Sequence, residues 1–120
     1  MKADKVTDLF LNTMLYDFYG DLLTAHQQEV YEAVVFNDCS LSEAAEQFSV
    51  TRQGISDLIK RCNKQLSDYE KKLGLVRKYE KAKEQLDQIH QVVLDYEAEY
   101  GKNVRVSKID QLVDEIREDF

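Results

Sequence analysis

The chain of 120 residues has a net charge of −7, with 43% hydrophobic and 32% charged residues. This composition is typical of an ordinary globular protein, and we expect residues 1–120 to form a single domain. No apolar run approaches the roughly 20 residues that a membrane-spanning helix needs. The first ten residues lack the apolar core of a secretory signal, so the sequence predicts a cytoplasmic protein that binds no membrane.

The scarcity of turn-forming residues predicts an all-α fold. The chain has no Pro and only four Gly, whereas residues that favour helices are plentiful. A first helix is predicted over about residues 4–19, ending at Gly20. Its apolar residues cover more than one side, which indicates either a central helix or a subunit contact.

Capping residues mark the starts of the next two helices. Thr24 with Gln27 forms a capping-box pair before a helix of about residues 25–36. Ser40 with Glu43 forms a second pair before a short helix.

A long helix follows, and Thr51 is its predicted N-cap. Apolar residues recur at heptad spacing over residues 55–73, and a second heptad run covers residues 75–100. The two runs do not share one register, so we expect a kink or a break near Gly74.

Residues 41–60, "LSEAAEQFSVTRQGISDLIK", match the helix-turn-helix template. Ala45 is the small residue that two steeply crossing helices require. Five apolar residues have the spacing that fills the angle between such helices: Ala44, Phe48, Val50, Ile55 and Leu58. The turn has Ser49 where the template usually has Gly, and a left-handed backbone there costs about 1 kcal/mol.

When the chain is divided into residues 1–50, 51–72 and 73–120, only the middle block is net basic, and it coincides with the second helix of this motif. Residues 51–72 carry six Lys and Arg against three Asp and Glu, whereas residues 1–50 carry two against nine. A local basic face attracts polyanions even on an acidic protein. We therefore predict that double-stranded DNA contacts the outward residues of this helix: Arg52, Gln53, Ser56, Asp57, Lys60, Arg61 and Lys64.

These residues have different predicted roles. Arg52 can bind guanine and Gln53 can bind adenine through paired hydrogen bonds, each worth about 1–3 kcal/mol of discrimination. Lys60, Arg61 and Lys64 would bind phosphates. With about four phosphate contacts, log affinity should fall against log salt with a slope near −3 to −4.

No catalytic, metal or cofactor site is predicted, and we expect a binding protein and not an enzyme. The sequence has no Gly-rich phosphate loop and no GxSxG motif. Cys39 and Cys62 have no His nearby and are expected to be core thiols. His26 is expected to be exposed or near a helix cap. His90 has only Asp87 nearby, which is too few ligands for zinc.

Residues 23–66 resemble region 4 of bacterial sigma factors. The resemblance rests on "LTAHQQEVYEAVVFNDCSLSEAAEQFSVTRQGISDLIKRCNKQL", with its Leu-Thr start, Gln/Glu-rich helix, acidic turn and basic helix-turn-helix. With its N-terminal helix and long C-terminal helices, the whole chain resembles the YlxM-like family of small bacterial proteins. The resemblance implies DNA binding, or a regulatory role in the signal recognition particle pathway. Asp57 departs from the sigma-like pattern, which has a basic residue there.

The resemblance leaves two classes of partner open. The chain either binds double-stranded DNA as a transcription regulator or binds the protein or RNA of the signal recognition particle as an accessory factor. The first alternative is favoured by the motif, and the second by the acidity of the chain.

The C-terminal helical arm, residues 75–120, also has two interpretations. A final helix capped by Ser107 follows Gly101 and the connector "KNVRV". The arm either folds back on the first helix or packs against a second copy. We favour a homodimer, because two-fold symmetry doubles the contacts of a helix-turn-helix module.

Overall fold

The computed structural model describes residues 2–119, with side chains from Leu9 to Asp119. This range contains no strand, and the predicted all-α fold is confirmed. Its six α-helices are α1 (Lys2–Tyr19), α2 (Ala25–Tyr31), α3 (Leu41–Gln47), α4 (Arg52–Leu73), α5 (Leu75–Tyr100) and α6 (Val104–Asp119). A 3₁₀ turn, Gly20–Leu22, follows α1, and a π-helical segment, Glu32–Phe36, follows α2. None of the described helices combines the length and apolarity needed to cross a membrane.

The predicted caps are present at the starts of α2 and α3. The Thr24 hydroxyl accepts a hydrogen bond from the Gln27 N–H at 3.1 Å, and the Gln27 side chain accepts one from the Thr24 N–H at 3.0 Å. The Ser40 hydroxyl accepts from the Glu43 N–H at 3.0 Å, which is one of the two bonds of the predicted capping box. Each bond satisfies an N–H group that has no partner within its helix.

The predicted helix over residues 25–36 differs from the observed one, because the chain widens into the π-helical segment after Tyr31. Val34 in this segment packs against one buried cluster, whereas Val35 and Phe36 pack against another. The segment therefore joins two parts of the core.

The prediction that Ser107 caps the last helix is wrong. The side-chain oxygen of Asn103 accepts hydrogen bonds from the N–H groups of Arg105 at 2.8 Å and Val106 at 3.4 Å. Asn is among the best N-cap residues, so α6 begins at Val104 and Ser107 lies inside it.

The chain divides into two compact units, Met1–Val76 and Arg77–Phe120. A single domain over residues 1–120 stays a prediction.

Both buried clusters lie in the first unit, and α4 contributes to each of them. The first cluster comprises Leu15, Tyr19, Leu23, Tyr31, Cys62, Leu66 and Val76. The second comprises Val30, Ala44 and Ile55. Helix α4 packs against α1, α2 and α3, so its orientation is fixed from three directions.

The predicted break near Gly74 is confirmed, and side chains hold the corner. Gly74 ends α4 with a left-handed backbone, φ 63°. The Tyr19 hydroxyl donates to the Glu70 carboxylate at 2.6 Å and accepts from the Leu75 N–H at 3.0 Å. The same Glu70 oxygen accepts from the Val76 N–H at 3.0 Å. The first N–H groups of α5 are therefore satisfied by side chains of α1 and α4.

Two polar contacts and a small buried group help to hold the described part of the second unit. Arg117 donates to Asp87 at 2.6 Å, and His90 Nδ1 lies 2.6 Å from an oxygen of Asp110. The partner of His90 is thus Asp110 and not the nearby Asp87. The side chains that are buried in the described part of this unit are Leu86, Val93 and Val113.

Candidate nucleic-acid interface

Helices α3 and α4 meet around small and aliphatic side chains. Ala44 on α3 and Ile55 on α4 have no exposed surface, and Phe48 and Leu58 pack against them. Ala45, the small residue predicted to allow a close crossing, is partly buried and packs against the same cluster. Four of the five apolar residues predicted to fill this angle are therefore buried or partly buried.

The fifth, Val50, was placed wrongly: its side chain is 43% exposed. Ser49 before it has φ 56°, the left-handed backbone predicted for this position. The Val50 N–H donates to the Ala45 carbonyl at 3.0 Å. This hydrogen bond fixes the turn through the backbone, so the Val50 side chain is left at the surface.

The start of α4 depends on Thr51 and Gly54. The Thr51 hydroxyl accepts a hydrogen bond from the Gly54 N–H at 2.9 Å, as the predicted N-cap requires. A Cβ atom at position 54 would lie 3.1 Å from the same hydroxyl oxygen. Gly54 therefore leaves room for the cap that orients the first turn of α4.

The seven predicted DNA-contacting residues share one side of α4. At about 100° per residue, they fall within an arc of about 180° around the helix. Six of them are exposed and Ser56 is half-buried. The buried residues of α4, which are Ile55, Cys62 and Leu66, lie on the opposite side. Arg52, Gln53, Ser56, Asp57, Lys60, Arg61 and Lys64 therefore form one surface, which we call the α4 face.

The α4 face contains one hydrogen bond that our sequence analysis missed. The Gln53 amide donates to the Asp57 carboxylate at 2.9 Å. The four-residue spacing was the signal, because side chains at i and i+4 are neighbours on a helix. This contact holds Gln53 beside a negative charge and positions both side chains at the N-terminal end of the face.

Two other polar residues of α4, Asn63 and Gln65, are half-buried and bonded to α2. The Tyr31 hydroxyl donates to the Asn63 side chain at 2.7 Å, and the Gln27 amide donates to the Gln65 side chain at 2.9 Å. Burial raises the pKa of Tyr31 to about 12. These contacts join α2 to α4 and hold the α4 face in its orientation.

The two cysteines are free, as their spacing suggested. Cys62 is fully buried, and burial raises the pKa of its thiol. Cys39 is half-buried and packs against the second cluster. His26 is exposed, and its ring faces the edge of Phe48 at a centroid distance of 6.0 Å. Among the described residues, no three His, Cys, Asp or Glu side chains are grouped to hold a metal ion.

Comparison with known proteins identifies a family. The family model described as "UPF0122: Putative helix-turn-helix protein, YlxM / p13 like" matches residues 7–117. A UPF0122 protein of Caldanaerobacter subterraneus subsp. tengcongensis is 42% identical over 86 residues, which cover 72% of this chain and 74% of the relative.

Two further relatives extend the match along the chain. A UPF0122 protein of Exiguobacterium sibiricum is 42% identical over 98 residues, covering 82% of this chain and 89% of its own. One from Geobacillus sp. (strain WCH70) is 40% identical over 104 residues, covering 87% and 86%. The match includes both the helix-turn-helix and most of the C-terminal arm, and the chain therefore belongs to the UPF0122 family of YlxM/p13-like helix-turn-helix proteins.

Proposed function

We propose that this protein binds double-stranded DNA through the α4 face, as a regulatory binding protein and not as an enzyme. The observation that carries the proposal is the position of the basic residues. They lie on the exposed side of the second helix of a helix-turn-helix, opposite its buried side. In such motifs this helix enters the major groove of DNA.

The N-terminal end of the α4 face suits base recognition. The Thr51 cap places Arg52 and Gln53 in the first turn of α4, the part of a recognition helix that contacts base edges. The Arg52 guanidinium can bind guanine with two hydrogen bonds. Gln53 can do the same with adenine after it releases Asp57.

The rest of the face suits phosphate binding. Lys60, Arg61 and Lys64 are exposed and lie about two to three turns further along α4. Together with Arg52 they supply four cations, and each neutralised phosphate contributes about −0.9 to the salt slope. Between 50 and 200 mM salt we expect affinity to fall about 100-fold.

The test is fluorescence anisotropy of a labelled random duplex at several salt concentrations. The double variant Arg52→Ala/Arg61→Ala should bind more weakly and lose about 2 from the salt slope, because on a random duplex both arginines neutralise phosphates. Lys102→Ala/Arg105→Ala is the matched control, since it removes two exposed cations of the second unit. The proposal fails if the α4 variant binds duplex as the unsubstituted chain does, or if no binding occurs at any salt.

We also propose that the protein acts as a homodimer. One helix-turn-helix module presents a single recognition helix, whereas two-fold symmetry presents two to successive turns of DNA. A dimer would therefore compensate for the small number of cations on each α4 face.

A second candidate function is binding to the protein or RNA of the signal recognition particle, as the family resemblance implies. The acidity of α6 favours it: Glu115, Glu118 and Asp119 are exposed near its end and would attract a basic protein. Retention on the immobilised protein at low salt, lost in Glu118→Lys/Asp119→Lys, would support this candidate. Retention on the immobilised RNA, lost in Arg52→Ala/Arg61→Ala, would support the RNA form.

A further inference from the structure

The second unit has an exposed apolar stripe on each of its helices. On α5 the side chains of Ile89, Val92, Tyr96 and Tyr100 are exposed by 41%, 66%, 38% and 68%. On α6 those of Ile109, Leu112 and Ile116 are exposed by 46%, 45% and 45%. At about 100° per residue, each set falls within about 80° of its helix, so each is one stripe and not a scatter of residues.

The two stripes face the same side of the unit. Ile89, Val92 and Val93 of α5 line one open groove together with Ile109 of α6. The stripes therefore form a continuous surface over both helices, which we call the α5–α6 face.

Exposing an apolar face of this size to water costs free energy, and a unit of two helices has little buried core to offset it. The buried side chains of the described unit are only Leu86, Val93 and Val113. The seven exposed side chains present roughly 600 Å², so pairing two copies would bury up to about 1,200 Å², the lower end of the range for specific interfaces. A partner with an equally apolar face of similar length would cover it.

The charges of α5 select an antiparallel partner. Residues 77–84 carry four Lys and Arg against two Glu, whereas residues 95–100 carry three acidic residues and no basic one. Two antiparallel α5 helices would place each basic segment beside an acidic segment, which attracts. Parallel helices would place like charges together, which repels.

We propose that the α5–α6 face binds the same face of a second copy of this chain, with the two α5 helices antiparallel. The four helices then form a bundle whose core is closed by the stripes. The two-fold axis passes near Ile89, which places residues 77–84 of one copy beside residues 94–101 of the other. Both copies contribute the same residues, as a two-fold interface requires. This association needs no DNA and stands independently of DNA binding.

Sedimentation equilibrium without DNA tests the association. The unsubstituted chain should sediment with twice the mass of one chain. Ile89→Glu should weaken self-association at least about 30-fold, because it places a charge in the centre of the interface. Leu94→Glu is the matched control: Leu94 lies on the same helix, is 45% exposed against 41% for Ile89, and lies outside the stripe. It should stay dimeric, and circular dichroism should show equal helix content in both variants.

Cysteine cross-linking tests the antiparallel arrangement without a disruptive substitution. Ile89→Cys should oxidise to a covalent dimer, because the two copies of residue 89 meet near the axis. Tyr100→Cys should not, since residue 100 lies on the same stripe but about 16 Å from the axis along α5, whereas a parallel pair would cross-link at both positions. Both variants keep the natural Cys39 and Cys62, so the background is the same.

Three outcomes would overturn the proposal: a monomeric unsubstituted chain, an Ile89→Glu variant as dimeric as Leu94→Glu, or equal cross-linking at positions 89 and 100. Dissociation by Phe10→Glu on α1, but not by Ile89→Glu, would likewise assign the dimer contact to another surface. A dimer that binds no duplex would contradict the proposed function and leave this inference intact. A monomer that binds duplex would do the reverse.

Discussion

At the scale of single residues, three tyrosine hydroxyls hold the first unit together. Tyr16 donates to Glu32 at 2.6 Å, Tyr19 donates to Glu70 at 2.6 Å, and Tyr31 donates to Asn63 at 2.7 Å. Burial raises the pKa of each phenol, and for Tyr16 and Tyr19 the neighbouring carboxylate raises it further. In each case the folded chain favours the protonated form.

This preference predicts a loss of stability at alkaline pH. A raised pKa stabilises the fold fully below the unfolded value of about 10 and loses that contribution as pH rises through the folded value. For Tyr31, with its pKa raised to about 12, the loss should reach about 2 kcal/mol at pH 12. Urea unfolding from pH 8 to 12 should show it, and Tyr31→Phe should decline less steeply above pH 10. Parallel curves would contradict the assignment.

Asp57 is the one carboxylate of the α4 face, and its removal should strengthen DNA binding. Asp57→Asn deletes a charge that repels phosphate, and a unit charge at about 4 Å is worth about 1 kcal/mol in water, or roughly fivefold in affinity at low salt. Added salt should reduce the gain. Asp95→Asn is the control, since Asp95 also accepts a hydrogen bond from a Gln four residues earlier, at 2.9 Å. Fluorescence anisotropy with a random duplex measures the affinity of both variants. Equal affinities of Asp57→Asn and Asp95→Asn would contradict a contact between DNA and residue 57.

At the scale of elements, the turn between α3 and α4 is defined by the left-handed Ser49. Gly adopts this backbone without steric cost. Ser49→Gly should therefore raise the free energy of unfolding by about 0.5–1 kcal/mol. Part of this gain is offset because Gly also gives the unfolded chain more conformational freedom. Ser42→Gly, inside α3, should lower it by a similar amount. Urea unfolding measures the free energy of unfolding of both variants. A lower value for Ser49→Gly than for the unsubstituted chain would contradict backbone strain at residue 49.

The elements that could be predicted from the sequence are those set by neighbours along the chain. The caps at Thr24, Ser40 and Thr51 and the break at Gly74 depend on residues within a few positions, and each prediction is confirmed. Asn103 is a local signal that we overlooked in favour of Ser107.

The orientation of α4 depends on distant residues instead. Tyr31 and Asn63 are 32 positions apart, and Gln27 and Gln65 are 38 apart. No pattern in one sequence specifies which inward polar residues meet. The sequence therefore predicted which side of α4 is exposed, because heptad spacing marks its buried side, but not the contacts that hold the helix.

At the scale of the whole molecule, we propose that the first unit binds DNA and that the second unit mediates self-association. The first unit is well packed and presents the α4 face, whereas the second buries little and presents the α5–α6 face. A substitution on the α4 face should leave self-association measurable, and one on the α5–α6 face should leave DNA binding measurable. This is why DNA binding and self-association can be tested with separate variants.

The corner at Gly74 has a consequence for local opening of the chain. The N–H groups at the start of a helix usually exchange with solvent readily, because the helix end frays. Here the Leu75 N–H is bonded to Tyr19, 56 positions earlier, and the Val76 N–H is bonded to Glu70. Deuterium can reach the Leu75 amide only when α1 separates from the corner. Exchange at this amide should therefore be as slow as opening of the first unit, and the first turn of α5 should report on the integrity of α1.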